Sequence, residues 1–284
     1  MYKLIKASTD LGVIIDGARY GATKIVNCIN NDNKYEEVLV KADHRCKSKD
    51  KTDMAKNLNK INSFNKRLYD EVYKTHQENK FPIIIGGDHS LGIASALADA
   101  SFYGDVGIIW IDSHTDYNTF ETTVTGNIHG LPLAAINRYQ TDELIKFTPS
   151  RINPRNTVIV GARSVDPPEY VNIKKTGATI FSTEDIKKEG IKNILEKAFK
   201  IASNGTNKVH VSYDIDFIDP SEAPGVSVKA EDGIDKETAI KAMDIVSKHK
   251  DILSSLDIVE YNPLLDQKKE TLKIASTLLK KFIQ

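Results

Sequence analysis

The stretch VGIIWIDSHTDYN, residues 106–118, joins the most apolar short run of the chain to a cluster of polar side chains. Val106 to Ile111 is apolar on consecutive positions, as expected of a strand covered on both faces in a parallel sheet. Asp112, His114 and Asp116 follow at once. In open α/β sheets ligands bind beyond the carboxyl ends of the strands, so this abrupt change marks both a strand end and the edge of a site. If the backbone stays extended, residues two apart point to the same side, and the three polar side chains can converge on one point.

Working outward, further β-rich runs cover Gly12 to Ile15, Glu37 to Val40, Pro82 to Ile85, Thr157 to Val160, Ala178 to Phe181, Val209 to Ile215 and Leu253 to Val259. Between them lie helical patterns, with Met54, Leu58, Ile61, Phe64, Leu68 and Val72 at spacings of three or four, and Leu272, Ala275, Leu279 and Phe282 likewise. Alternating strands and helices predict a three-layer α/β fold with a central, mostly parallel sheet. With 284 residues, 40% of them hydrophobic, the chain can bury roughly three quarters of its unfolded surface. No Pro/Gly-rich linker or low-complexity tract divides it, which predicts one domain over residues 1–284.

Lys plus Arg and Asp plus Glu both number 39. That balance argues against a nucleic-acid footprint or attachment to an anionic membrane. The opening MYKLIKASTDLG lacks the apolar core of a secretory signal, and no segment approaches the roughly 20 apolar residues of a membrane span. A cytoplasmic protein is expected. Cys28 and Cys46 lack metal-ligand spacing and read as reduced, structural thiols.

Four of the eight expected strands carry chemistry at their carboxyl ends: His89 in IIIGGDHS, Asp112, His114 and Asp116 in IIWIDSHTD, Asp214 and Asp216 in VSYDIDFIDP, and Glu260 in LDIVEYNP. Neither G-x-G-x-x-G nor G-x-x-x-x-G-K-[ST] occurs, so phosphate-cradling loops of those kinds are not expected. Two imidazoles and four carboxylates exceed one tetrahedral Zn²⁺ site, while four negative charges would balance two divalent cations. Oxygen-rich ligands with some imidazole suit Mn²⁺, with Zn²⁺, Co²⁺ and Fe²⁺ as alternatives. Taken singly, an aspartate at a strand end often caps the next helix, and a lone histidine is often an ordinary hydrogen-bonder. As a set they would repel and raise one another's pKa unless something positive lay between them.

GGDHS, DSHTD, GNIHG, SYDIDFIDP and LDIVEYNP together resemble the signature segments of the ureohydrolases, in their arginase branch. The likeness runs over Phe81 to Gly130, Val158 to Glu169, Val209 to Val226 and Leu256 to Pro263. It implies an arginase-like fold with an eight-stranded sheet and a centre of two Mn²⁺ ions per chain, about 3.5 Å apart as in paired-metal hydrolases. By motif, His89 and Asp116 would complete the shell of one ion, His114 and Asp216 that of the other, with Asp112 and Asp214 bridging. A hydroxide shared by the ions is the implied nucleophile, with Asp116 accepting a hydrogen bond from it. His129 would be the proton shuttle and Glu260 the partner of the substrate guanidinium. Asn118 and Thr125, in the loop DYNTFETTVTGNIHG, stand where an amino acid α-carboxylate would bind, Asn127 of the same loop would also contact the substrate, and Asp166 and Glu169 stand where its α-amino group would bind. The implied reaction is hydrolysis of L-arginine to L-ornithine and urea, by a homo-oligomer, trimeric or hexameric.

Three departures bear on the substrate. Val228 stands where the family has a threonine that helps orient the guanidinium, within SVKAEDGI, where Gly-Thr-Pro is usual. Ser164 replaces an acidic residue in the amino-group loop. Ser113 replaces alanine, which reads as a small change. These keep open another ureohydrolase substrate, of the agmatinase, guanidinobutyrase or formiminoglutamase type, and a non-catalytic metal-binding relative.

Overall fold

The computed structural model describes residues 1–29, 35–50 and 52–284. Eight strands form one sheet in which every neighbouring pair is parallel: β1 (Tyr2–Ser8), β2 (Tyr35–Lys41), β3 (Phe81–Ile85), β4 (Val106–Ile111), β5 (Thr157–Ala162), β6 (Thr179–Ser182), β7 (Lys208–Asp214) and β8 (Leu253–Val259). Their spatial order is β2-β1-β3-β8-β7-β4-β5-β6. The chain builds both flanks first and then returns to fill the centre with β7 and β8. The four strands that end in chelating or acidic residues, β3, β8, β7 and β4, are therefore consecutive neighbours. Long crossovers bring together residues more than 170 positions apart in the chain, such as His89 and Glu260.

Helices cover both faces. Helix α1 (Gly21–Val26) lies on one face. On the other are α2 (Leu58–Gln77), α3 (Gly92–Tyr103) and α4 (Pro132–Ile136), and α5 (Pro167–Thr176) packs Ile173 there. Helices α6 (Thr183–Glu189), α7 (Ile191–Ala202), α8 (Lys236–Ser247) and α9 (Glu270–Ile283) join α1. Strand residues divide between the two cores with a period of two. Ile109 and Ile111 face α7 and α8, while Ile108 and Trp110 face α3. Every position of β4 is consequently buried, which explains its unbroken apolar run. Among the described residues no helix is long and apolar enough to cross a membrane.

Three expectations are corrected. The first strand is not Gly12 to Ile15 but Tyr2–Ser8, which the sequence disguises with Lys3 and Lys6. Lys3 is only 6% exposed and is kept in the sheet by ion pairs to Glu71 and Glu78 at 2.7 and 3.2 Å. Residues 12–15 instead form a turn across the sheet's carboxyl edge, where Gly12 donates to Asp88 at 3.2 Å and accepts from His129 N–H at 3.1 Å. Met54 lies before α2 and is exposed, so the helix begins at Leu58. Cys28 and Cys46 are free and exposed rather than core residues.

The approach of β1 and β3 at this edge leaves no room for a side chain at Gly87, where an added Cβ would stand 1.7 Å from the Thr9 carbonyl oxygen. Gly87→Ala is expected to cost about 3 kcal/mol or more through backbone displacement. At Gly130 a Cβ meets nothing within 4 Å, and Gly130→Ala is expected to stay within about 1 kcal/mol of the parent. Urea unfolding of the two variants checks this, and equal midpoints would contradict it.

Candidate metal centre

Strands β4 and β7 each deliver a pair of polar residues through a turn capped by the first residue of the pair. After β4, the Asp112 carboxylate accepts from His114 N–H at 2.6 Å, and after β7 the Asp214 carboxylate accepts from Asp216 N–H at 2.7 Å. These are side-chain-capped turns of the kind aspartate favours. The second ligand of each pair is thus folded back over the first, and the convergence does not come from an extended backbone as the spacing suggested. Asp116 has a left-handed backbone, φ 50°, as does Glu260, φ 66°. Such conformations are costly for non-glycine residues and cluster at functional sites. After β3, Asp88 accepts from Ser90 N–H at 3.1 Å and fixes the short turn bearing His89.

His89 Nδ1 faces three carboxylates, with Asp112 Oδ2 at 3.0 Å, Asp214 Oδ2 at 3.1 Å and Asp116 Oδ2 at 3.3 Å. His114 Nδ1 faces Asp216 Oδ2 at 2.9 Å and Asp112 Oδ1 at 3.5 Å. Two groups of potential ligands result, His89 with Asp112 and Asp116, and His114 with Asp112 and Asp216, sharing Asp112. His89 Nδ1 and Asp112 Oδ2 are fully buried and have no hydrogen-bond partner, although they lie 3.0 Å apart. Two buried polar atoms this close with no hydrogen bond between them are what a shared cation would satisfy. The donor set and its orphaned atoms fit a pair of divalent metal ions.

Electrostatics agree. Burial, together with Asp112, pushes the Asp116 carboxyl up to about 7. Burial and the neighbours Asp216 and Asp112 hold Asp214 well above the usual range. Against the cost of burial, the surrounding carboxylates raise both His89 and His114 well above 6.5. Asp116 and Asp214 are thus disfavoured as carboxylates by burial and by their acidic neighbours, a repulsion that divalent cations would relieve.

Above these ligands lies a cavity of about 230 Å³. His89, His114, Asp116, Asp214 and Asp216 form its floor, and Asn118, Thr125, Asn127, Asp166 and Glu169 lie along one wall. His129, Ser164 and Val228 also face it. Glu260 sits just behind that lining, where its Oε1 accepts from His89 N–H at 2.8 Å and meets His129 Nδ1 at 3.0 Å. Its Oε2 is buried without a hydrogen-bond partner. On the wall, Asn118 donates to Asp166 at 2.9 Å, and Thr125 Oγ1 accepts from Asn127 N–H at 3.2 Å. The Glu169 oxygens accept from Tyr117 N–H at 2.8 Å and Asp166 N–H at 2.9 Å, so this residue caps α5 as well as facing the cavity.

Three residues carry more of the site than the sequence disclosed. Ser113 is not a small change: its hydroxyl donates to Asp216 Oδ1 at 2.7 Å. Lys56 is 2% exposed, and its ammonium donates to the carbonyls of Asp53 and Thr125, at 2.5 and 2.6 Å, tying the wall loop to the segment before α2. Arg163 donates to the carbonyls of Asp216 at 2.8 Å, Phe217 at 3.1 Å, Ala230 at 2.9 Å and Glu231 at 3.0 Å. It clasps both ends of the segment carrying Val228. No local pattern announces donors whose acceptors lie more than 50 residues away.

The arginase family model matches residues 2–284. The chain belongs to the arginase family. It is 37% identical to the arginase of Bacillus subtilis (strain 168) over 231 residues, covering 80% of this chain and 77% of that one. A crystal structure of Bacillus subtilis arginase superposes with a TM-score of 0.89 at 32% identity, over 99% of this chain and 98% of the other. The Entamoeba histolytica arginase structure, in complex with L-ornithine, gives a TM-score of 0.90 at 28% identity over 99% and 97%. This arginase-family chain thus retains the family's sheet and carries its acidic cluster at the centre of it.

Arg163→Met would leave several partly buried carbonyls without a donor, and a loss of about 2–4 kcal/mol is expected. The exposed Arg155 serves as a control, with Arg155→Met within about 0.5 kcal/mol of the parent. Denaturant unfolding of the metal-free proteins measures both; an unchanged Arg163→Met would contradict the clasp.

Proposed function

We propose that this chain is a two-manganese amidinohydrolase that cleaves the guanidinium group of L-arginine, yielding L-ornithine and urea. The observation that carries the proposal is the shared, buried ligand set around His89 Nδ1 and Asp112 Oδ2 beneath a polar cavity. His89, Asp112, Asp116 and Asp214 would hold one ion, and His114, Asp216, Asp112 and Asp214 the other. When bound, two such cations supply an acidified water able to attack a planar guanidinium carbon at neutral pH. Asp116, which lines the cavity, would accept a hydrogen bond from that water.

His129 does the proton work. Its Nδ1 is held at 3.0 Å from Glu260 Oε1, and although burial opposes the charge, Glu260 raises its pKa above 6.5. Glu260 thus favours the protonated imidazole, which would give its proton to the departing amine. The unpartnered Glu260 Oε2 is available to a guanidinium N–H. Asn118, Thr125 and Asn127 would read the α-carboxylate, and Asp166 the α-amino group. Glu169 would reach the amino group while holding the wall. The L-ornithine bound by the Entamoeba relative is the product expected here. The proposal includes one catalytic domain, supported by the single continuous sheet, and a cytoplasmic homo-oligomer, supported by family membership.

Val228 faces the cavity and favours a second reading, a sibling amidinohydrolase acting on another guanidino or formimino compound. The two readings separate on substrate choice. With neutral donors set to meet a carboxylate, L-arginine is expected to exceed agmatine in kcat/KM by roughly 100-fold or more, because agmatine leaves those donors unpaired. Urea release with both substrates measures this, and parity or reversal would refute the assignment. Val228→Thr nearly preserves volume and adds one hydroxyl. It is expected to raise kcat/KM for arginine by roughly tenfold or less. A fall would mean that the pocket is built for a different substrate.

A further inference from the structure

Behind His89 the sheet is not apolar. On β7, Val209, Val211 and Tyr213 face one core, which turns His210 and Ser212 toward α3; on β8, Leu256 and Ile258 face the same core, which turns Ser255 and Asp257 toward α3. Helix α3 meets this seam with Ser95 and Asp99, and His76 reaches it from α2. His76, Asp99, His210, Ser212, Ser255 and Asp257 are all fully or almost fully buried. None of them lines the cavity. A well-packed apolar seam would serve stability at least as well as buried ionic groups, so the fold alone does not account for them.

The contacts form one continuous file. His76 Nε2 lies 2.6 Å from Asp99 Oδ1, and His210 Nδ1 lies 3.0 Å from Asp99 Oδ2. His210 Nε2 is 3.1 Å from Asp257 Oδ2, which Ser212 Oγ approaches at 3.4 Å. Ser212 Oγ is in turn 2.8 Å from His89 Nε2. Ser254 and Ser255 donate to Asp99 Oδ2 at 2.5 and 2.6 Å, and Ser95 donates to Asp257 Oδ2 at 2.6 Å.

Carboxylates only accept, so both aspartates fix the direction of every bond around them. Each His210 nitrogen lies beside a carboxylate, which favours N–H at both, and Nδ1 also lies 2.9 Å from Ser255 Oγ. The Ser212 hydroxyl hydrogen turns to Asp257, which leaves its lone pairs for the N–H at His89 Nε2. With its Nε2 proton given to Ser212, His89 can present Nδ1, the orphaned atom among three carboxylates, to a cation held there.

We infer that Asp99, His210 and Asp257 are positioning residues that act through Ser212 to hold His89 in the Nδ1-ligating tautomer, so that Asp99, three side chains beyond Ser212, sets the affinity of the His89-side metal ion. The inference rests on the proposed role of His89 as a ligand. Second-layer partners that orient a ligating histidine commonly change metal affinity by 10–100-fold. Two aspartates hold His210 up to about 9 against the cost of burial, in keeping with a fixed charge in the file.

The test is calorimetric titration of the metal-free full chain with Mn²⁺, free of any dependence on turnover. His89→Ala identifies which of the two binding events belongs to the His89 side. Asp99→Asn is expected to weaken that event by roughly tenfold and the other by less than about twofold. In a Ser212→Ala background, Asp99→Asn is expected to add less than about twofold, because the link is already cut. Should Asp99→Asn fail to fold, His76→Gln disturbs the far end of the file and carries the same expectation at smaller size. Equal weakening of both events, no weakening, or the same weakening with and without Ser212 would each overturn the inference. A parent chain that binds no Mn²⁺ would instead overturn the metal reading on which it rests.

Discussion

Four aspartates crowd the carboxyl edge of a parallel sheet, and much of the surrounding architecture serves to keep them there. Asp112, Asp116, Asp214 and Asp216 are all buried and sit within reach of two imidazoles. Left without positive charge such a group is unfavourable, as the raised pKa values of Asp116 and Asp214 record. The late return of β7 and β8 to the middle of the sheet sets Asp214 beside Asp112, two capped turns fold His114 and Asp216 back over them, and Arg163 fixes the loop beyond. A site built this way trades folding stability for affinity toward cations, since whatever neutralises the acids also stabilises the fold.

Much of this was legible in the sequence because the strongest signals were local. The run Val106 to Ile111 reads as a doubly covered strand, and the ligands follow each central strand within a few residues. Strand β1 was hidden because its buried Lys3 is readable only once Glu71 and Glu78 are in place. Spatial strand order was equally invisible, since β7 and β8 enter between strands formed much earlier. Spacing brought the right aspartates together for an incomplete reason: the chain turns instead of staying extended. The contributions of Ser113, Lys56 and Arg163 depend on partners far along the chain or on a single hydroxyl, and no periodic pattern encodes either.

The cavity and the seam behind His89 divide the remaining burden. Toward solvent, Asn118, Thr125 and Asp166 give the cavity short polar groups, and Val228 adds an apolar one. Toward the interior, His210 and its two aspartates set the hydrogen-bond direction that ends at His89. Ligand geometry is thus fixed from both sides, by capped turns at the edge and by directed hydrogen bonds in the core.

One buried acidic cluster is proposed to hold two cations that share Asp112. Anomalous diffraction from crystals soaked in Mn²⁺, recorded at the manganese edge, would locate them. Two peaks about 3.5–4 Å apart are expected, the separation of paired-metal sites, one beside His89 Nδ1 and one beside His114 Nδ1, with the Asp112 carboxylate reaching both. A single peak, or peaks away from Asp112, would contradict it.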